Sequence, residues 1–241
     1  MQFPFKTLVH LLMVQALFVM GSIVGAESNP DNSECLVLMP RDSSDLWLSG
    51  TSTLHRWECK AKEVQGALLT NISGDRLREK VTAYLNGEIP QAEDGSEMQV
   101  WLEVRPADLD CDNARMHRDL NRAVRADEYP EIKYWYTGIE SAPTIVLGDS
   151  GPELKVEVSG DLFLAGETRK VAHTATIRLI EPAVVEVEGV LELDMRDFDI
   201  DPPTALLGLI RAHPELKVRY RFEVPLKDRS NGVESTVSVP R

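Results

Sequence analysis

Residues 189–226 read GVLELDMRDFDIDPPTALLGLIRAHPELKVRYRFEVPL, a stretch in which two strand patterns flank a turn that contains two prolines. Apolar residues alternate with charged ones over 186–195 before the turn and over 216–224 after it. A period of two gives a strand one apolar face and one wet face. Pro202 and Pro203 lack the amide proton that a sheet requires, so the chain must leave the sheet between these strands. The apolar segment 205–210 that follows is expected to cover an apolar surface.

Alternating apolar patterns elsewhere in the chain predict further strands. They cover residues 36–39, 46–50, 81–89, 98–104, 132–139, 144–147, 154–164 and 171–179. The acidic segment 91–96 is expected to be the hairpin loop between two antiparallel neighbours, 81–89 and 98–104.

One segment has helical rather than strand periodicity. Met116, Leu120 and Val124 recur at a spacing of four, and either Asp112 or Asn113 can cap the start of the helix. The pattern predicts a single α-helix at about 113–126. It either closes one end of the fold or packs against the core as an ordinary helix, because an apolar stripe suits both roles.

Eight to ten strands with one helix predict an all-β fold, a closed or nearly closed antiparallel barrel. An eight-stranded barrel has an interior wide enough for one small ligand. By periodicity alone, a barrel filled with side chains or a β-sandwich fits equally well.

The first 26 residues have the composition of a secretory signal peptide. Lys6 precedes an apolar run over 8–24, and Gly25 and Ala26 supply small residues for cleavage. A retained membrane anchor is the alternative, but polar residues interrupt the run, which is short for a bilayer core about 30 Å thick. Cleavage near Ala26 predicts a periplasmic or secreted protein. The expected order is then a linker with the first strand at 27–45, one domain at 46–226 and a polar tail at 227–241.

The net charge of the chain limits the classes of partner that the protein is expected to bind. The chain has 26 basic and 39 acidic residues, and the net charge of −13 becomes −14 when Lys6 leaves with the leader. No cluster of basic residues interrupts this acidity, so nucleic acid is not expected as a partner. The acidic residues lie on the wet faces of the strands, where they keep the protein soluble.

The motifs of common catalytic sites are absent from the sequence. The four histidines of the mature chain, His55, His117, His173 and His213, are isolated from one another. His173 shares an apolar strand face and is either a hydrogen-bonded core residue, a contact for the polar head of a ligand, or a metal ligand without a recognisable second ligand. The acidic run at 194–201 lacks the glycine and the bidentate glutamate of a calcium loop. The sequence therefore predicts no catalytic residues, no metal site and no enzyme activity.

Four motifs, in order, resemble the YceI-like family of secreted, lipocalin-like barrels that bind polyisoprenoid lipids. They are a Ser-Thr-Leu-His-x-Trp run at 52–57, a helix pattern at 116–132, a Gly-x-Leu-x3-Gly-x-Thr-x2-Val hairpin at 160–171, and the closing segment 195–209. Leu120 and Val124 replace commoner residues of the family pattern. The resemblance extends over about 46–226.

This resemblance implies a hollow lipocalin-like barrel of about eight strands, with the helix at one end and an isoprenoid chain along the axis. The stretches that match the family supply most of the residues expected to contact the ligand, and His173 is added because it shares an apolar strand face. They are Leu54, Trp57, Met116, Leu120, Val124, Phe163, His173, Phe198, Leu206 and Leu207. Ordinary core packing is the alternative for each of them. No cofactor is expected other than a bound isoprenoid lipid or quinone.

The resemblance also implies one disulfide. Cys59 and Cys111 each lie beside a stretch that the family places at the same end of the barrel. A bridge between Cys35 and either of them remains the alternative.

The function expected from this resemblance is that of a non-enzymatic carrier for a polyisoprenoid or an isoprenoid quinone, with a membrane or an exported protein as a further partner. A protein-interaction or assembly module with a filled barrel is the first alternative, and a metal-dependent enzyme is the second. The sequence leaves the oligomeric state open, a dimer included.

Overall fold

A computed structural model describes residues 36–88, 97–111, 113–149, 151–205 and 210–227. These residues form thirteen strands and two α-helices. The strands are β1 (Leu36–Leu38), β2 (Asp45–Ser52), β3 (Arg56–Ala61), β4 (Gln65–Thr70), β5 (Met98–Val104), β6 (Leu109–Asp110), β7 (Ile132–Ile139), β8 (Thr144–Gly148), β9 (Gly151–Leu164), β10 (Glu167–Glu181), β11 (Val184–Asp194), β12 (Thr204–Ala205) and β13 (Ile210–Pro225). The helices are α1 (Gly74–Leu85) and α2 (Ala114–Ala123).

The strands form one antiparallel sheet with the order β1-β4-β5-β7-β9-β10-β11-β13-β2-β3-β6. The sheet closes because several of these strands are segments of one longer strand. β3 continues into β4, and β5 continues into β6 through a short 3-10 turn at Pro106–Asp108. In the same way, β1 continues into β2, and β7 continues into β8, which pairs with the far end of β9. The sheet therefore closes into a ring of eight long strands, four of them interrupted. The predicted antiparallel barrel of about eight strands is confirmed.

The predicted departure from the sheet at the two prolines is also observed. β11 ends at Asp194, a 3-10 turn follows at Met195–Phe198, and the long β13 begins at Ile210. β13 pairs on one side with β11, from Val184 opposite Pro225 to Asp194 opposite Glu215, and on the other side with β2.

The prediction of a strand at 81–89 was wrong, because residues 81–85 belong to α1. The side chain of Ser73 caps this helix by accepting a hydrogen bond from the amide of Arg76. Leu77 and Val81 lie four residues apart and pack into one apolar cluster. This spacing is typical of a helix, although residues 81–85 also alternate as a strand would. The fold therefore has two α-helices and not one.

The two helices lie at opposite ends of the barrel. α1 precedes the start of β5, and α2 follows the end of β6, which is the continuation of the same long strand. Leu77 and Val81 of α1 pack with Leu38 and Val187 at one end. Leu120 of α2 lies in the larger core cluster at the other end. The predicted helix is therefore observed at a barrel end, with Asn113 as its N-cap and its last helical residue at Ala123.

Several predicted features lie outside the described residues. They are the leader and linker at 1–35 with Cys35, the loop at 89–96, the alternative cap Asp112, the apolar segment 206–209 and the tail beyond 227.

The structure joins Cys59 and Cys111 in a disulfide, as the family resemblance implied. Cys59 is fully buried and Cys111 is 5% exposed. The bridge links β3 to the residue that follows β6, and so ties the start of α2 to the barrel wall.

We predict that replacing both cysteines, Cys59→Ala with Cys111→Ala, lowers the free energy of unfolding by up to about 4 kcal/mol, because the bridge closes a loop of 52 residues in the unfolded chain. Urea unfolding under non-reducing conditions measures the loss. Cys35→Ala is the matched control and is expected to leave the midpoint unchanged. A loss in the Cys35→Ala control as large as the loss in the double variant would assign the bridge to Cys35 and one of the other two cysteines instead.

Candidate ligand-binding cavity

The inward faces of the barrel strands enclose a cavity of about 320 Å³. This volume is at the lower end of the range for small-molecule sites. Among the described residues that line it, none carries a charge, and the only polar side chains are Tyr134, Tyr136, His173 and Tyr220. The alternating apolar residues of β11 and β13 form one wall of this cavity, including Leu191, Leu216 and others of the same faces.

Two glycines on the inner wall make room for two of the tyrosine rings. An ideal Cβ added to Gly160 would lie 2.5 Å from the hydroxyl oxygen of Tyr134. A Cβ added to Gly189 would lie 2.5 Å from Cζ of Tyr220, its direct partner across the β11–β13 pair. Each ring therefore lies flat against the wall over a glycine, which leaves the middle of the barrel open.

Tyr134, His173 and Tyr220 come together in the cavity from three different strands, β7, β10 and β13, and are called the polar trio below. His173 Nε2 lies 2.8 Å from the Tyr220 hydroxyl oxygen. The imidazole packs edge to face against both phenol rings, with ring centroids 5.6 Å from Tyr220 and 6.4 Å from Tyr134. His173 Nδ1 and the Tyr134 hydroxyl are both buried and find no hydrogen-bond partner among the described protein atoms.

Burial determines the ionisation of the polar trio. It raises the pKa of Tyr134 to about 12 and raises the pKa of Tyr220 further. It lowers the pKa of the His173 imidazole, because the apolar surroundings disfavour the charged form. At neutral pH the three side chains are therefore uncharged.

Three of the ten residues expected to contact a ligand, Leu120, Val124 and His173, line the cavity. Trp57 and Met116 line a second cleft outside the barrel, between α2 and the β2–β3 corner, which Leu120 also reaches.

Leu54, Phe163 and Phe198 lie in neither space. Leu54 is 68% exposed in the turn between β2 and β3. Phe163 packs edge to face against Tyr129, and its neighbours Leu162 and Leu164 line the cavity in its place, because successive strand residues face opposite sides. Phe198 is the last residue of the 3-10 turn at Met195–Phe198, and its side chain is buried in the core. Leu206 and Leu207 lie outside the described residues.

Sequence reasoning missed Tyr134 and Tyr220. Tyr220 lies on the alternating apolar face of β13, and Tyr134 lies within a predicted strand, so the pattern alone places both on strands. They differ from other strand residues because they contact His173 in the cavity. This contact can be predicted only if the strand order is known, because β10 is separated from β13 by β11 and from β7 by β9.

In the described part of the chain, no three His, Cys, Asp or Glu side chains are close enough to hold a metal ion. Neither α1 nor α2, the helices that the structure describes, has the length and apolar character needed to span a membrane.

The protein-family comparison matches the YceI-like domain over residues 61–224, more than half of the 241 residues. The chain belongs to the YceI-like family. The resemblance identified from four motifs is therefore confirmed. No curated protein matches the sequence significantly.

Solved structures share the YceI-like fold of this chain. The polyisoprenoid binding domain from Saccharophagus degradans is 10% identical, with a TM-score of 0.53, and the match covers 80% of this chain and 99% of that one. BcnA from Burkholderia cenocepacia is 13% identical, with a TM-score of 0.52, over 75% of this chain and 96% of that one. At such low identities the likeness establishes the fold and leaves the site to be argued from the residues of this YceI-like chain.

We predict that His173 makes the stability of the protein depend on pH. An unfolded histidine titrates near pH 6.5, and burial lowers the pKa in the folded state. The stability that neutral His173 contributes is thus present above about pH 6.5 and is lost as the pH falls below that value, by at most about 1.4 kcal/mol per pH unit. Tyr134 and Tyr220, which face the imidazole, stay protonated throughout this range.

Urea unfolding between pH 7.5 and 5 is the measurement, with His173→Gln as the variant because its amide can still bond to Tyr220. The wild-type protein should lose more stability on acidification than this variant. His55→Gln, at an exposed position, controls for the loss of a histidine and should follow the wild-type curve. Parallel curves for wild type and His173→Gln would show that His173 is not the group responsible.

Proposed function

We propose that the protein binds the chain of a polyisoprenoid or an isoprenoid quinone inside the barrel and carries or stores it without chemistry of its own. The observation that carries this proposal is the cavity, whose described lining has no charge and few polar groups. Such an interior matches a linear hydrocarbon and offers no charged partner to an ionised metabolite.

Burial of the chain in the barrel supplies a free-energy gain comparable with the cost of association. Burial of apolar surface contributes about 25 cal/mol per Å², so a chain that buries roughly 500 Å² gains roughly 12 kcal/mol before the costs of association. Those costs are on the order of 4–15 kcal/mol for lost translational and rotational freedom. Because the gain and the costs are of similar size, useful affinity depends on how completely the barrel surrounds the chain.

Two further observations support this ligand class. The α2 end is sealed by Leu120 and Val124, which are 5% and 3% exposed, so a bound chain would be shielded from water there. Membership of the YceI-like family and the polyisoprenoid binding described for the Saccharophagus degradans domain point in the same direction.

We also infer that the protein works outside the cytoplasm, in the periplasm or after secretion. This inference is supported by the leader-like composition of the first 26 residues and by the Cys59–Cys111 disulfide, since such bridges persist in oxidising compartments. An exported carrier must receive its lipid from a membrane or from another exported protein and release it to one.

The direct test is native mass spectrometry with organic extraction on protein purified from its own cells. A co-purifying isoprenoid at close to one per barrel is expected. A protein that is empty and that also fails to take up added polyprenols and isoprenoid quinones would contradict the proposal and favour a protein-interaction module.

We predict that Ala175→Phe lowers the retention of added polyprenol at least tenfold. Ala175 is buried on the inner face of β10 beside Gly189, so the new ring must enter the cavity of about 320 Å³. The matched control is Thr174→Phe, one residue earlier and exposed, which should retain lipid as the wild type does. Equal retention by both variants, with both folded by circular dichroism, would place the lipid elsewhere. If Ala175→Phe does not fold, Ala175→Leu provides the smaller obstruction.

A further inference from the structure

We propose that Tyr134 and His173 recognise the head of the ligand, and that this head is uncharged and presents an oxygen atom that accepts hydrogen bonds. The hydroxyl of a polyprenol and the carbonyl of a prenylated quinone share this chemistry. The inference rests on the proposed binding of an isoprenoid chain and adds which head group that chain bears and where it lies.

Two polar atoms of the trio have no hydrogen-bond partner. A buried polar atom in this state is costly, and native proteins avoid the situation except where a site has a use for it. Here the Tyr134 hydroxyl and His173 Nδ1 are both in this state and both belong to residues that line the same cavity. Their two rings are in edge-to-face contact, with centroids 6.4 Å apart. One ligand oxygen that enters beside this contact would supply the missing partner of both groups.

The hydrogen bond to Tyr220 determines which imidazole nitrogen of His173 carries the proton. The Tyr220 hydroxyl has one described partner, His173 Nε2 at 2.8 Å. A buried phenol hydroxyl needs an acceptor for its proton, so Tyr220 donates to Nε2 and the neutral ring carries its own proton on Nδ1. Nδ1 and the Tyr134 hydroxyl are then both donors without a described acceptor, and both belong to residues that line the cavity. Two such donors suit a carbonyl or hydroxyl oxygen as their common acceptor.

The lining of the cavity disfavours a charged head. A phosphate placed at the trio would bring negative charge into an interior where no described lining residue is a lysine or an arginine. Burial of an unpaired charge is far more costly than burial of a neutral oxygen. The apolar surroundings also keep His173 neutral, because they lower its pKa. The trio therefore selects against polyprenyl phosphates.

The position of Tyr220 on β13 places the head near the middle of the barrel. Tyr220 is the central residue of the cavity-lining run from Leu216 to Val224 on β13. Four residues separate it from either end of that run, which is about 13 Å at a rise of ~3.3 Å per residue. The α2 end is closed, whereas Met98 at the opposite end lines the cavity and is 42% exposed. The tail of the ligand would thus extend from the trio toward Met98.

The experiment compares four ligands in competition by native mass spectrometry: a polyprenol, an isoprenoid quinone, the polyprenyl phosphate of the same chain length, and squalene, which has no head. The polyprenol or the quinone should bind at least tenfold more tightly than the phosphate, and more tightly than squalene. Equal affinity for squalene and the headed lipids, or tighter binding of the phosphate, would overturn the head site while leaving chain binding intact. Failure of all four to bind would instead contradict the proposed function itself.

The variant Tyr134→Phe tests the residue. It should weaken binding of the preferred headed lipid about three- to tenfold, the effect of one net hydrogen bond, and leave squalene binding unchanged. The stability of the empty protein should not fall, because the hydroxyl has no described protein partner to lose. Tyr129→Phe, whose ring packs outside the cavity against Phe163, is the matched control and should change neither affinity. A loss of stability in empty Tyr134→Phe, or the same loss of affinity for squalene, would assign the hydroxyl a structural role.

Discussion

The interior of this protein depends on the pairing of β13 with strands from both ends of the chain. β13 lies between β11, its predecessor in the barrel, and β2, which begins at Asp45. The pairing with β11 is continuous over eleven residues of each strand, and the pairing with β2 changes register between Ala212 and Leu216, where Pro214 cannot donate to the ladder. Without the contact with β2 the sheet would present two open edges and the cavity would be open to water.

Because the sheet closes into a barrel, each strand has an outer face in water and an inner face in the cavity, and the sequence places different residues on the two faces. On the outer face, charged residues pair across strands. Arg178 reaches Glu153 at 2.9 Å and Glu188 at 2.8 Å, and it also pairs with Glu186, which is only 7% exposed and needs a partner at that depth. Trp47 on the same outer surface has the guanidinium of Arg219 over its ring, 4.8 Å from the centroid. The acidic surplus of the chain is therefore spread over a face that water can solvate.

The inner face has a different organisation, because its few polar groups are concentrated in one place. Gly160 and Gly189 let two tyrosine rings lie against the wall, and the histidine between them bonds to one ring and contacts the other. A filled barrel would use large side chains at the glycine positions. The small residues keep the centre open and hold the polar trio at the wall, so one feature of the packing produces both the space for a ligand and the groups that can recognise its head.

The sequence by itself determined the strands with clean alternation, the fold class and the family. β11 and β13 were predictable because every second residue is apolar, and this pattern is local. α2 was predictable for the same reason, since its apolar residues recur every four positions. α1 was mistaken for a strand because Val81, Ala83 and Leu85 satisfy a period of two as well as they satisfy the last turns of a helix, and only the packing of Leu77 and Val81 against the barrel end decides between the two.

Tertiary structure alone decided the site. Phe163 and Leu162 are equally apolar neighbours, and only the barrel determines that Leu162 faces the cavity while Phe163 faces outward. His173 could be placed on an apolar face from its strand, but its partners Tyr134 and Tyr220 lie 39 positions before it and 47 positions after it in the chain. Periodicity reports which face a residue occupies and carries no information about which strands become neighbours. That information comes from closure of the sheet, which brings these three side chains together.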